Sequence, residues 1–181
     1  MSDMVSVVPY DAAWPHSFAL LAGRLRDATG DGAVRIDHIG STAVPGLSAK
    51  PVVDIQVSVL SLEPRDAYQP AIESCGFVLR THNPDKTKRY FRETPGARRT
   101  HIHVRSAGSW SEQFSLLFRD FLRLHRADAM DYERGKITLA QKYENDRAAY
   151  TAHKAPLIWA IMTRADQWSQ ETGWRPGPSD A

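Results

Sequence analysis

The segment Val52-Val-Asp-Ile-Gln-Val-Ser-Val59 constrains this chain more than any other. It is rich in β-branched residues and apolar except at Asp54, Gln56 and Ser58, so it reads as a well-covered strand. Side chains alternate along a strand, and those three polar residues therefore share one face. A carboxylate inside such a strand is costly unless it is paired, bound to a metal or open to a cleft. Asp54 is thus a constraint on the fold and the first candidate for function.

Around this strand the periodicity is mixed. Trp14, Phe18, Leu21, Leu25 and Ala28 fall at helical spacing from about Ala13 to Thr29, with Asp11 placed to cap. Val34–Ile39, Phe77–Arg80, Lys88–Glu93 and Thr100–Arg105 read as further strands, with a short helix over 66–75. The second half is helical. Phe114, Leu117, Phe118, Phe121 and Leu122 form an apolar stripe between Ser109 and His125, and a more polar helix covers Ala127–Tyr143. A third helix carries Leu157, Ile158, Ile161, Met162, Ala165 and Trp168, with Pro156 expected in its first turn. This order predicts an α+β fold, a mixed β-sheet with flanking helices and a C-terminal helical portion. Residues 1–172 are expected to form one domain, and 173–181 a flexible tail.

A length of 181 residues buries a core without staples. Cys75 is the single cysteine, which rules out a disulfide within the chain and favours a reducing, cytoplasmic setting. No apolar run approaches the roughly 20 residues of a membrane span. Lys+Arg 23 against Asp+Glu 21 gives +2, too little to imply bulk nucleic-acid binding. Charge is nevertheless uneven. Residues 80–105 hold a local excess of positive charge, with only Asp85 and Glu93 opposing it. That band is either a clamp for polyphosphate, in which Arg89 or Arg92 would act, or a solvated hairpin.

The stretch leading into the central strand is Ile39-Gly-Ser-Thr-Ala-Val-Pro-Gly-Leu-Ser-Ala-Lys-Pro51. Gly40 permits close approach of backbone to a ligand. Ser41 and Thr42 offer hydroxyl and backbone donors and Lys50 a positive charge, and together these can cradle phosphate. Asp54 supplies the hard oxygen that Mg²⁺ prefers. The same residues would also make a tight turn with a capping serine. His101 and His103 share a strand face and could contact phosphate, act as general acid or base, or ligate a metal. With His38 they offer three imidazoles, enough in principle for zinc, although no spacing fixes the set. Lys154, placed near a helix start, opposes the helix dipole unless an anion is held there.

Ile39-Gly-Ser41 followed by Asp54, Ile55 and Val57 resembles the nucleotidyltransferase superfamily of the DNA polymerase β type. More closely, His38–Leu47 with Lys50-Pro-Val-Val-Asp-Ile55 resembles the GrpB family. His101-Ile-His-Val104 and the Tyr143–Lys154 stretch are similar too, and the resemblance spans roughly Val8 to Ala165. It implies a cytoplasmic protein that binds Mg²⁺ with ATP or another NTP and passes a nucleotidyl group to a small acceptor. Asp54 would hold the metal. Gly40, Ser41 and Thr42 would hold phosphates, Lys50, Arg89 and Lys154 would neutralise charge, and His101 or His103 would serve as base. The chain departs from the superfamily pattern at Gln56, which takes the place of the second carboxylate. The third belongs on a later strand, where only His101 and His103 stand unless Glu93 replaces it. The alternative is therefore a non-catalytic nucleotide-sensing or adaptor module. Fusion of some GrpB domains to a coenzyme A biosynthesis kinase suits that role.

Overall fold

The structure is a computed structural model that describes residues 4–181. Its elements run α1 (Ala13–Thr29), β1 (Arg35–Ile39), β2 (Val53–Val59), α2 (Gln69–Ser74), β3 (Phe77–Leu79), β4 (Arg89–Glu93), β5 (Thr100–Ser106), α3 (Trp110–Leu124), α4 (Arg126–Lys142) and α5 (Arg147–Thr172). The five strands form one sheet in the order β1-β2-β5-β4-β3. Only β2 and β5 are parallel; every other pair is antiparallel. A parallel pair needs a long crossover, and α2, β3 and β4 provide it. The predicted mixed α+β architecture is the one found.

One face of the sheet carries the larger core. Ile36, Ile55, Val57, Phe91, Ile102 and Val104 pack there against Trp14, Phe18 and Leu25 of α1 and Ile72 of α2. Asp11 does cap α1, its Oδ1 accepting from the Ala13 amide at 2.8 Å. The opposite face carries Asp54, Gln56 and Ser58 with their register partners His101, His103 and Arg105. Here α3 crosses the sheet, with Ser109 accepting from the Glu112 amide and Glu112 accepting from Gly108 at its start. Its apolar stripe, Leu117, Phe118, Phe121 and Leu122, packs with Ile161, Met162 and Ala165 of α5 into a second core. Gly135 of α4 lets α5 approach closely, since an added Cβ would meet Leu157 Cδ1 at 2.6 Å.

Two expectations are corrected. Pro156 is not in a first turn; α5 starts at Arg147 and runs through it. Proline in a helix interior costs roughly 3 kcal/mol, but Pro156 faces solvent, where water can satisfy the freed carbonyl, while Leu157, Ile161 and Ala165 anchor the helix. Nor is 173–181 loose in the structure. The Ser179 hydroxyl donates to Ile36 O and accepts from the Ile36 amide, and Asp180 accepts from the His38 amide at 2.9 Å. The segment therefore lies along the free edge of β1, a place where unpaired strand groups need partners.

Candidate functional site

Between the polar sheet face and helices α4 and α5 lies a cleft of about 500 Å³. The sheet supplies Asp54 from β2, His101 and His103 from β5, and Tyr90 from β4. Parallel pairing sets Asp54 opposite His101, and alternation brings His103 to the same side. His101 Nδ1 lies 3.1 Å and His103 Nε2 3.2 Å from Asp54 Oδ1. The Tyr90 ring packs against both imidazoles, with centroids 5.4 and 5.3 Å away. Gly40, with φ +72, lies directly behind the carboxylate.

The helices supply the positive charge. Lys136 projects from α4, and Arg147 and Lys154 from α5, to meet Lys50 and Lys88. Asp54 is the one carboxylate among the residues lining this cleft. Lys50 and Lys154 both lie over the Tyr150 ring, 4.9 and 5.6 Å from its centroid. Phe114, Phe118 and Ile158 form an apolar wall.

Burial and crowding leave their mark on protonation. Burial pushes the Lys50 ammonium down to about 8, helped by Lys154 and Arg147. Burial and Lys154 bring Lys136 down to about 7. His103 is pushed down to about 4 by burial. Burial alone would raise Asp54, but the hydrogen bonds to His101 and His103 outweigh it and hold the carboxyl well below the usual carboxylate range. At pH 7 His103 is neutral and too weak a base to take a proton efficiently.

A stability profile follows from these shifts. Between about pH 7 and 10 the unfolded chain holds protons on Lys50 and Lys136 that the folded chain has released, so stability rises with pH in that window. Above it Tyr68 and Tyr90, both raised to about 12 by burial, reverse the slope, because the unfolded chain then releases protons that the fold keeps. His38 and His103, both near 4, make stability rise between about pH 4 and 6.5 in the same sense. Urea unfolding from pH 4 to 11 is expected to show this rise and the fall above 10; a maximum at pH 6 that declines toward 9 would contradict it.

The residues singled out from sequence divide into two groups. Asp54, His101, His103, Gly40, Ser41, Lys50 and Lys154 line the cleft. Thr42 borders it, but its hydroxyl is buried between His38 Nε2 at 3.0 Å and Val52 O at 3.2 Å, holding the loop to the strand. Lys154 comes to the cleft for another reason than the one expected: it lies well inside α5, on a face shared with Arg147, Tyr150 and Ile158. Arg89 is not brought to the cleft. It alternates with Tyr90 to the opposite sheet face and pairs with Glu63 at 3.0 Å. Arg92 pairs with Glu93 at 2.9 Å. Glu93 also faces away from Asp54, accepting from the Thr100 amide, so it replaces no missing carboxylate. His38 lies on the α1 face, stacked on Phe18 at 4.8 Å, which ends the three-imidazole zinc set. Gln56 is fully buried under α3, its amide donating to Glu112 O at 3.4 Å.

Lys136 escaped the motif reading, and Arg147, within the Tyr143–Lys154 stretch that carried the resemblance, was given no role in a site. The trace of Lys136 was there: it shares the buried stripe of α4 with Ala129, Tyr132 and Ala140, an odd place for a lysine.

The sequence pattern of the GrpB protein family matches residues 4–164. The chain belongs to the GrpB family. It is 35% identical to a UPF0157 protein of Halalkalibacterium halodurans over 90% of this chain and 83% of that protein. A dephospho-CoA kinase of Mycolicibacterium paratuberculosis is 33% identical over 95% of this chain, which spans only 48% of that enzyme's length. The crystal structure of the conserved protein GrpB from Enterococcus faecalis superimposes with a TM-score of 0.81 at 31% identity, covering 90% of this chain and 99% of that one. Terminal uridylyl transferase 4 from Trypanosoma brucei, solved with bound CTP, shares the fold alone: TM-score 0.53 and 11% identity over 98% of this chain and 60% of that one. The nucleotidyltransferase-like architecture is therefore shared. No helix among the described residues is long and apolar enough to cross a membrane.

Magnesium, implied by the superfamily resemblance, matches this donor set poorly. Mg²⁺ takes oxygen ligands, and at the three positions of the superfamily's carboxylates the chain offers Asp54, a buried Gln56 and imidazoles.

Proposed function

We propose that the cleft binds a nucleoside triphosphate and passes its nucleotidyl group to a small acceptor. One observation carries this reading: five lysine and arginine side chains converge with the Gly40-Ser41 loop on a walled cleft that holds a single carboxylate. Burial and the neighbouring Lys154 lower the ammoniums of Lys50 and Lys136, and a polyanion in the cleft would relieve that crowding of charge. The phosphates are met by Lys50, Lys136, Arg147 and Lys154, and the base by the wall of Phe114, Phe118 and Ile158. In transfer, an acceptor oxygen that is already ionised, as in a carboxylate or phosphate, attacks the α-phosphorus as the bond to pyrophosphate breaks, and the lysines neutralise charge on the leaving group.

Gln56 and the histidines of β5 favour a second reading, in which the nucleotide is bound and sensed without transfer. The match to half of a dephospho-CoA kinase also suits an accessory module.

Titration of ATP and GTP into the wild-type chain tests the first step. Lys50→Ala and Lys154→Ala are each expected to weaken binding about tenfold or more, since a hydrogen bond to a charged group contributes roughly 1.5–3 kcal/mol. Arg89→Ala, outside the cleft, is expected to bind as wild type. Pyrophosphate released in a metabolite mixture supports transfer, and tight binding without it supports sensing. No binding of either nucleotide overturns both.

A further inference from the structure

We propose that Asp54, His101 and His103 form a binding site for a divalent transition-metal ion of the zinc class, in place of the superfamily's magnesium. This deepens the reading of the cleft, on which it rests for the ion's neighbours but not for its ligands. The three donor atoms come from adjacent parallel strands and all lie within 4.8 Å of one another. Ligands at ~2.0–2.1 Å from a tetrahedral zinc are ~3.3 Å apart; the two edges from Asp54 Oδ1, to His101 Nδ1 and to His103 Nε2, are 3.1 and 3.2 Å.

The far nitrogens of both rings, His101 Nε2 and His103 Nδ1, are buried and meet no protein partner. In the metal-free chain Asp54 Oδ1 accepts from His101 Nδ1 and His103 Nε2; each neutral ring can carry its proton on the far nitrogen instead, and the lone pair then turned toward Asp54 is open to a cation. Gly40 leaves room behind the carboxylate that any Cβ would take, 2.8 Å from Oδ2. Two imidazoles, which are borderline donors, beside one hard carboxylate select transition metals over magnesium. The lysines around the cleft oppose any cation held by charge alone, so affinity must come from the imidazole lone pairs. Three protein ligands leave coordination positions open toward the cleft, where water or a phosphate oxygen can enter.

The test uses the full chain, treated with chelator and then titrated without nucleotide with Zn²⁺, Co²⁺ and Mg²⁺. One Zn²⁺ per chain is expected, with Co²⁺ giving the visible absorption of a nitrogen- and oxygen-ligated ion and Mg²⁺ binding far more weakly. His101→Gln and His103→Gln are expected to lose the Co²⁺ spectrum and the zinc-dependent rise in melting temperature. His82→Gln, whose ring is not part of this cluster, is expected to keep both. Should a site variant fail to fold, zinc protection of His101 and His103 from diethyl pyrocarbonate in the wild-type chain gives the same answer. Zinc binding no tighter than magnesium, or a cobalt spectrum unchanged in both site variants, overturns the proposal. Because nucleotide is absent, loss of the metal site leaves the ATP titrations to judge the phosphate reading separately.

Discussion

Replacing Gly40 with alanine is expected to abolish the binding proposed for the cleft and to destabilise the fold. Gly40 has φ +72 and ψ −170, a region that is essentially glycine-only, and a side chain there costs on the order of 1–3 kcal/mol in backbone strain. The added Cβ would also lie 2.8 Å from Asp54 Oδ2 and 3.3 Å from Asp54 Cβ. Asp54 cannot simply step aside, because its other oxygen faces His101 and His103. The carboxylate is therefore driven off its position between the two rings. The Gly-Ser sequence at the end of β1 is thus a requirement of the strand beside it as much as of any phosphate. Gly23→Ala is the control, since nothing lies within 4 Å of the new methyl and its backbone is helical. That change should be neutral or slightly stabilising, as glycine in a helix costs roughly 0.5–1 kcal/mol against alanine. Urea unfolding and titration with ATP and Zn²⁺ report both effects; a Gly40→Ala protein of wild-type stability and affinity would refute the account.

Arg119→Met is expected to be the most destabilising of the changes considered, by about 3–5 kcal/mol. Arg119 is 2% exposed and lies at the junction of β1, α3 and the C-terminal segment. Its Nε donates to Asp120 at 2.7 Å, and its Nη1 to Asp180 at 2.9 Å and His38 O at 3.2 Å, with Asp37 at 3.5 Å. Methionine fills much of the space but leaves three carboxylates around an apolar chain. Asp37 keeps Arg35, at 2.6 and 2.7 Å, but Asp180 loses its cation and with it a reason for 179–181 to stay on β1. Arg119→Lys is expected to recover little, because one ammonium cannot reproduce a planar fork with several partners. Denaturant unfolding measures the loss, and exposure of the C-terminal segment to carboxypeptidase measures the release. A loss below about 1 kcal/mol, the range of a surface ion pair, would show that the cluster is not a structural centre.

Most of the secondary structure was readable because its causes are local. The stripe Trp14, Phe18, Leu25 gave the helix Ala13–Thr29 at both ends, since Asp11 and Gly30 bound it. The helix through Pro156 was not readable, because tertiary packing of Leu157, Ile161 and Ala165 overrides the local penalty. Arg89 illustrates a different limit. Its charge drew attention, but alternation about Tyr90 turned it to the opposite face, and only the pairing of β4 with β5 says which face is which.

By itself the sequence determined that Asp54 stands in an apolar strand, that His101 and His103 share a face, and that glycine precedes serine at the mouth of the loop. Those facts depend on a period of two and on the chemistry of single residues. Only the tertiary structure decided that β5 lies parallel to β2 in the register that sets His101 against Asp54, residues 47 apart in the chain. It also decided that Lys136, Arg147 and Lys154 line the same cleft as Asp54. Register and helix docking depend on the burial of whole faces against one another, and no local pattern encodes which buried face meets which.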